Sequence, residues 1–208
     1  MARYREANCK LCRREGEKLF LKGSRCHGDK CAFERRAYSP GEHGRAMRRK
    51  GSEYALRLRE KQKVRRVYGV LERQFRDYFH KAARQKGITG ENLLRMLECR
   101  LDNLIYRLGF APSRKAARQL VLHRHFAVND RAVNVPSYQL RPRDIISVRE
   151  KDRNLDVIHQ ALREGRAGDL PYLRLDKARL QGELLEYPKR MDIPLLVQEQ
   201  LIVELYSK

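Results

Sequence analysis

The sequence predicts a mainly helical α+β protein, with a metal-stapled helical lobe at the N-terminus and a second lobe of helices followed by a small β hairpin or sheet. Three observations support this fold class. Four of the five cysteines fall within residues 1–50, apolar side chains recur at helical spacing between residues 75 and 121, and short apolar runs separated by turn residues follow. A chain of 208 residues is long enough to bury a core of ordinary size.

The cysteines of the first segment form two close pairs. Cys9 and Cys12 make a C-x2-C pair, and Cys26 and Cys31 make a second pair with four residues between them. Two such turns supply the four tetrahedral ligands of zinc without a large fold, and a reducing compartment disfavours disulfides. We therefore predict a closed structural Zn²⁺ site on these four residues. An iron–sulfur cluster on the same thiolates and free thiols without a metal are the alternatives.

Three helices are expected in the middle of the chain. Ser52 is expected to N-cap a basic helix over residues 53–66, which Gly69 interrupts. The next helix carries an apolar face and stops near Gly87. That face consists of Phe75, Tyr78, Phe79 and Ala82. From Thr89 to Gly109 a continuous stripe of leucines predicts one core helix, with Cys99 as a small buried residue.

The following segment predicts a helix, a hairpin and a further strand. Ser113 is expected to cap a helix that runs to about His123. Strands are expected at residues 126–128, 131–133 and 145–148, with a turn at Asn129-Asp130 between the first two. A helix at residues 155–163 and strand-like pieces at residues 184–187 and 200–206 complete the prediction.

Charge is concentrated in the first three quarters of the chain. The formal net charge is +21, and by segment it is +9 for residues 1–50, +7 for 51–100, +5 for 101–150 and zero for 151–208. Such an excess destabilises a compact chain unless a polyanion neutralises it, and nucleic acid is the common polyanion. With no apolar run of spanning length and no signal-peptide pattern at Met1, we expect a cytoplasmic protein without a membrane partner.

Three basic groups are candidates for contact with RNA phosphates. The first is Arg35, Arg36, Arg45, Arg48, Arg49 and Lys50; the second is Arg57, Arg59, Lys61, Lys63, Arg65 and Arg66; the third is Arg114, Lys115, Arg118 and Arg124. For the second group, on the first long helix, the alternative is a solvated helix face. We favour RNA because the charges there are nearly all of one sign.

A family becomes recognisable at the third group. The run from Ser113 to Val121 (SRKAARQLV), followed by Ala127 to Arg131 (AVNDR), resembles an RNA-binding motif named for the fourth protein of the small ribosomal subunit. The rest of the chain is similar to the bacterial family of that protein. The similar segments are Arg3-Tyr4, residues 9–16 (CKLCRREG), 18–23 (KLFLKG), 40–44 (PGEHG), 56–63 (LRLREKQK) and 199–207 (EQLIVELYS). Asp130 departs from the motif, which usually has Gly there, so the type of turn stays open.

The resemblance implies a structural protein and not an enzyme. It implies direct binding to the 5′ domain of 16S rRNA, nucleation of 30S assembly, and a contact with the fifth small-subunit protein that influences translational accuracy. It also implies a position near the path by which mRNA enters the ribosome and, in some members, binding to the protein's own operon mRNA. Within the similar segments it adds six residues to the predicted RNA-binding set: Arg3, Arg13, Arg14, Lys22, Ser113 and Arg131.

The resulting domain prediction has four parts. Residues 1–50 form a Cys-rich metal-binding extension, 51–97 the helical part of the first lobe, 98–160 the RNA-binding αL-type domain, and 161–208 a neutral tail that packs on the first lobe. One alternative is a zinc-dependent nucleic-acid-binding regulator outside the ribosome. Another is an enzyme such as a pseudouridine synthase, which would need a separate catalytic domain that the remaining length does not provide.

Overall fold

The computed structural model describes residues 4, 6–45, 51–165 and 170–207. The chain forms two compact units, one of Met1–Gly90 with Leu195–Lys208 and one of Glu91–Pro194. The predicted tail of 161–208 is therefore divided, since only the part from Leu195 onward belongs with the first unit. This division differs from the prediction because the segment before Leu195 supplies two strands to the sheet of the second unit.

The described residues form a helical framework and a single small sheet. The helices are α1 (Asn8–Glu15), α2 (Ala32–Arg35), α3 (Glu53–Val67), α4 (Glu72–Ala83), α5 (Thr89–Glu98), α6 (Leu101–Arg107), α7 (Arg114–Leu122), α8 (Asp156–Arg163) and α9 (Glu199–Tyr206). The strands are β1 (Phe126–Val128), β2 (Arg131–Ala132), β3 (Ile145–Val148), β4 (Leu173–Asp176) and β5 (Gln181–Leu184). The prediction of a mainly helical protein with a small β-sheet is confirmed.

Helix α3 begins and ends where its sequence predicts. The Ser52 hydroxyl accepts a hydrogen bond from the Ala55 amide at 3.3 Å, which satisfies one of the free donors of the first turn. At the other end, Gly69 adopts a φ of +64°, which stops the helix at little steric cost.

Helices α4 and α9 share an aromatic core in the first unit. The apolar face of α4 is buried as predicted, and the Tyr206 ring of α9 stacks on Phe79 with the ring centroids 4.5 Å apart. The prediction of a strand at residues 200–206 is wrong. Ile202 is buried and Tyr206 is stacked four residues later, a spacing that places both on one helix face, so packing overrides the β-propensity of the Ile-Val pair.

The predicted single helix between Thr89 and Gly109 is also wrong, because it breaks at Arg100. Arg100 has extended backbone angles and pairs with Gln139 as an isolated antiparallel bridge. The Leu101 amide donates to the carbonyl of Tyr138 at 2.9 Å, and the Leu140 amide donates to the carbonyl of Cys99 at 2.9 Å. A distant loop thus supplies the partners for the backbone groups that the break releases.

The sheet of the second unit is antiparallel throughout, in the order β2-β1-β3-β5-β4. Strands β1 and β3 match their predicted bounds. Strand β5 lies three residues before the predicted piece at 184–187, and its partner β4 was not predicted. At Gly182 in β5 an added Cβ would meet a Leu108 methyl at 2.4 Å, so the glycine permits α6 to lie closely on the sheet.

The hairpin between β1 and β2 turns through two residues with positive φ. Asn129 has a φ of +48° and Asp130 of +62°, as a type I′ turn requires at its two central positions. Asp130 therefore fills the left-handed position where the family motif usually has Gly. The Asn129 side chain helps to fix the turn, since its Nδ2 donates to Asp144 Oδ1 at 2.8 Å and its Oδ1 accepts from the Ile145 amide at 2.9 Å.

Candidate nucleic-acid interface

Helix α7 is the part of the second unit that was predicted to face RNA. Ser113 serves as its N-cap, because the hydroxyl accepts a hydrogen bond from the Ala116 amide at 3.2 Å. Ala117 and Val121 are buried, whereas the basic residues of the helix are only partly covered. The helix therefore holds its apolar side in the core and leaves its basic side chains partly accessible.

The arginines of α7 are held by polar side chains of α6. Arg118 Nη1 lies 3.1 Å from Asp102 Oδ2, and Arg114 Nε donates to Asn103 Oδ1 at 2.8 Å. The Arg114 guanidinium also lies over the Tyr106 ring, 4.5 Å from its centroid. These contacts fix the orientation of the two guanidinium groups on α7.

Three exposed arginines lie at one corner of the sheet. Arg131, which the sequence predicts to bind RNA, is exposed at the start of β2, and so are Arg141 and Arg143 in the loop before β3. Arg143 has a φ of +74°, an uncommon angle for a residue other than glycine. Sequence reasoning missed these two arginines. The turn residues Pro142 and Asp144 around them would have placed them in an exposed loop.

The loop and the hairpin turn are joined by side-chain hydrogen bonds. Asp144 Oδ2 accepts from the Arg141 amide at 2.7 Å, while Asp144 Oδ1 accepts from Asn129. Arg124, which follows α7, is exposed with a φ of +63°, and its carbonyl accepts from Arg149 at 3.2 Å. The cations at this edge of the unit are thus carried by turns of defined geometry.

The basic run of α3 has a different environment from the one predicted. Arg57 pairs with Glu204 at 2.7 Å, Lys61 with Glu72 at 2.7 Å, and Lys63 with Glu17 at 3.0 Å. Arg65 also pairs with Glu72, and Arg59 and Arg66 both pair with Glu15. All six cations of the run thus lie in ion pairs with carboxylates. The sequence was interpreted as an RNA contact or a solvated helix face, and neither interpretation includes these ion pairs.

The cations of the first segment are partly exposed and partly engaged. Arg13 donates from Nε to the carbonyl of Tyr38 at 2.9 Å, and Arg13 and Arg45 both lie against the Tyr38 ring. Four further predicted residues are exposed: Arg14, Lys22, Arg35 and Arg36. Another four lie outside the described residues: Arg3, Arg48, Arg49 and Lys50.

Three of the four paired cysteines are buried. Cys12, Cys26 and Cys31 are each 7% exposed, and Cys9 is partly exposed. The Lys22 amide donates to the Cys26 sulfur at 3.3 Å. Burial raises the pKa of the Cys12 thiol, the Leu19 amide bonded to it lowers that pKa, and Cys26, Cys9 and Cys31 nearby raise it further.

As placed in the described part of the chain, no three Cys, His, Asp or Glu side chains form a group that could hold a metal ion.

Comparison with known proteins accounts for the whole chain. Residues 3–98 match the model of the ribosomal protein S4/S9 N-terminal domain, and residues 99–146 match the S4 domain. The sequence is 57% identical to the small ribosomal subunit protein uS4 of Solidesulfovibrio magneticus and 59% identical to that of Nitratidesulfovibrio vulgaris, with 100% of each chain covered. The chain belongs to the uS4 family. A Geobacter relative of the same name is 57% identical, again over 100% of both chains.

Membership of the uS4 family confirms the resemblance found in the sequence. The two matched regions meet between residues 98 and 99, where α5 ends and the buried Arg100 begins the break before α6. Since relatives cover the full length, the alternative of a zinc-dependent regulator outside the ribosome gains no support. No helix within the described ranges is both long enough and apolar enough to cross a membrane.

Proposed function

We propose that this protein is a structural component of the small ribosomal subunit in the cytoplasm, that it binds 16S rRNA directly, and that it is not an enzyme. The observation that carries the proposal is the full-length similarity to proteins named small ribosomal subunit protein uS4. The oriented arginines of α7 and the exposed arginines at the sheet corner support it, since they suit a polyanionic partner.

The binding of RNA is expected to depend on the positions of its phosphates more than on the identity of its bases. The arginine at residue 114 has its guanidinium group oriented by Asn103 and the Tyr106 ring, so little side-chain entropy is lost when it meets a phosphate. The turn-borne arginines at residues 131, 141 and 143 add contacts that release counterions. Phosphate contacts fix the register on folded RNA, and the shape of the RNA supplies the selectivity.

A competition measurement tests the proposal directly. The protein is bound to 16S rRNA, and duplex DNA of equal mass is added. We expect the RNA complex to persist and small subunits reconstituted without the protein to be incomplete. Displacement by DNA would contradict a ribosomal role and would favour a general nucleic-acid binder. Conversion of uridine to pseudouridine in bulk RNA would revive the enzyme alternative.

The finer partner set implied by the resemblance is part of this proposal. It comprises the 5′ domain of 16S rRNA, the fifth small-subunit protein, mRNA near its path into the ribosome, and in some members the protein's own operon mRNA. The neutral charge of residues 151–208 supports a protein partner for this segment. Met191 and Leu196, each on its own unit, are 87% and 89% exposed and offer apolar contacts. Charge-introducing changes at Met191 or Leu196 should weaken binding to the fifth protein while 16S rRNA binding is retained.

We further propose that Cys9, Cys12, Cys26 and Cys31 hold a structural zinc ion. The donor set fits in kind, since four thiols from two short segments are what a closed zinc site uses, and here Cys9 and Cys12 lie in α1 while Cys31 is the N-cap of α2. Three of these side chains are buried, and two sulfurs accept backbone amides, as zinc-bound thiolates commonly do. When bound, the ion would crosslink residues 9–12 to residues 26–31 and would supply no reaction chemistry. An iron–sulfur cluster is the alternative on the same ligands.

A further inference from the structure

The exposed face of α4 carries a basic stripe that sequence reasoning did not single out. Its members follow one another at spacings of three or four residues, which places them on one side of a helix. The stripe consists of Arg73, Arg76, His80 and Arg84, with Lys81 beside it, and all five are exposed. Asp77 is the acidic residue on the same side, so the four arginine and lysine charges exceed the acidic charge there by three.

The environment of these cations contrasts with that of the cations on α3. Each of the six basic residues in the α3 run lies in an ion pair with a carboxylate. On α4, by contrast, Arg73, Arg76, Lys81 and Arg84 form no side-chain hydrogen bond or ion pair with any residue that the structure describes. A phosphate that approaches α4 therefore meets cations that need not leave an existing partner.

We infer that the exposed face of α4 binds the phosphate backbone of helical RNA. The inference rests on the proposed function, because it assigns a surface of the first unit to the same rRNA. Unpaired surface cations gain affinity by releasing the counterions of the RNA, whereas the paired cations of α3 would first lose a carboxylate contact. The α3 run is one of three basic groups that the sequence predicts to contact RNA, and the α4 stripe adds a fourth.

Helical RNA fits this face better than a single strand does. The aromatic side chains of α4 are Phe75, Tyr78 and Phe79, and all three are buried in the unit. Proteins that hold single strands stack successive bases on several exposed rings, whereas His80 is the one exposed ring among the described residues of α4. The twelve residues from Arg73 to Arg84 span a rise of about 16 Å along the helix axis, enough to follow several phosphates along the groove edge of a duplex.

The test removes the four permanent charges together in the full-length protein. The variant carries Arg73→Gln, Arg76→Gln, Lys81→Gln and Arg84→Gln. Its matched control removes four exposed cations from the other unit, with Arg174→Gln, Lys177→Gln, Arg179→Gln and Lys189→Gln. For each protein the dissociation constant for 16S rRNA is measured over a series of salt concentrations, and its thermal unfolding is followed by circular dichroism.

The two variants should behave differently. We expect the α4 variant to bind more weakly and the slope of log affinity against log salt to fall by about two to four units, since each lost phosphate contact removes about 0.9. The control should keep the slope of the unmodified protein, and both variants should unfold as it does. Equal losses in the two variants, or an unchanged slope in the α4 variant, would overturn the inference.

The binding of the unmodified protein separates a failure of the inference from a failure of the proposed function. An unmodified protein that fails to bind 16S rRNA would remove the proposed function itself, whatever the variants do. An unmodified protein that binds, with an unaffected α4 variant, removes only the α4 assignment. On model RNAs, the α4 variant should lose more affinity for a mixed-sequence duplex than for poly(U), and the opposite order would contradict a helical partner.

Discussion

Arg100 and Asp102 form a two-pronged ion pair inside the second unit, although only one residue separates them in sequence. Arg100 Nε donates to Asp102 Oδ1 at 3.0 Å and Nη2 donates to Oδ2 at 2.8 Å, with side chains 0% and 5% exposed. The same Oδ2 lies 3.1 Å from Arg118 Nη1. A single carboxylate therefore connects the break between α5 and α6 to α7, the helix whose arginines we propose to contact RNA.

Replacement of Asp102 by Ala should destabilise the second unit strongly. The change leaves the buried Arg100 without its carboxylate, and a buried charge that loses its partner costs about 3–5 kcal/mol. The measurement is urea unfolding followed by circular dichroism. The control is Arg179→Ala, which removes an exposed pair with Asp176 at 3.8 Å and should cost less than about 1 kcal/mol. Similar losses for the two variants would mean that the buried pair contributes no more than a surface pair.

Ser113 should act on stability through its hydroxyl, as a helix cap. Ser113→Ala removes the acceptor for the Ala116 amide and should cost about 0.5–2 kcal/mol of unfolding free energy. Ser113→Asn provides another capping oxygen without a charge and should retain most of the stability. Both variants are compared by urea unfolding and by 16S rRNA affinity. An Asn variant as unstable as the Ala variant would contradict the capping role of Ser113.

The elements that the sequence predicted correctly are those with local causes. Ser52 and Ser113 cap their helices, and Gly69 ends α3, because each effect lies within one turn of chain. The break at Arg100 was missed because its backbone partners lie near residues 136–140, which no local pattern reveals. The helix α9 was misread as a strand because the Phe79 ring that Tyr206 meets is more than 120 residues away in sequence.

The same distinction applies to the candidate interface. Charge density in the sequence picked out the cations of α3 and passed over those of α4. Which cations stay available depends on acids from other elements, and Glu15, Glu17 and Glu204 come from α1, the turn after it and α9. The pairing of α3, and the absence of such pairing on the described face of α4, therefore became visible only with the fold.

Glu72 should make the first unit sensitive to acid. Burial acts to raise the pKa of Glu72, but hydrogen bonds from Lys61 and Tyr206 and the charges of Lys61 and Arg65 outweigh it and lower that pKa below 4.5. A carboxyl group with a lowered folded-state pKa contributes stability above its ordinary pKa and loses it as the pH falls through the folded value. The unfolding free energy that Glu72→Gln removes at neutral pH should therefore shrink as the pH falls below about 4.5.

Glu15 provides a control, because its pKa shift has the opposite direction to that of Glu72. Burial raises the pKa of Glu15 above 4.5, and the opposing charges of Arg66 and Arg59 do not fully offset it. The folded state then binds more protons than the unfolded chain between 4.5 and the raised value, so stability increases as the pH falls through that window. Urea unfolding of Glu15→Gln and Glu72→Gln between neutral and acidic pH should show opposite trends relative to the unmodified protein. Parallel trends would contradict the two assigned pKa directions.

The proposed zinc site predicts a contrast between paired cysteines and the fifth one. The protein purified without oxygen should contain about one zinc per chain by elemental analysis. Cys12→Ser and Cys31→Ser should lose that zinc and become easier to cleave by protease within residues 1–50. Cys99→Ser should keep the zinc, because Cys99 belongs to the second unit, where burial and the nearby Glu98 raise the pKa of its thiol to about 12. If the analysis finds iron and acid-labile sulfide instead of zinc, the same four residues hold an iron–sulfur cluster. Zinc that persists in both paired-cysteine variants would contradict the ligand assignment.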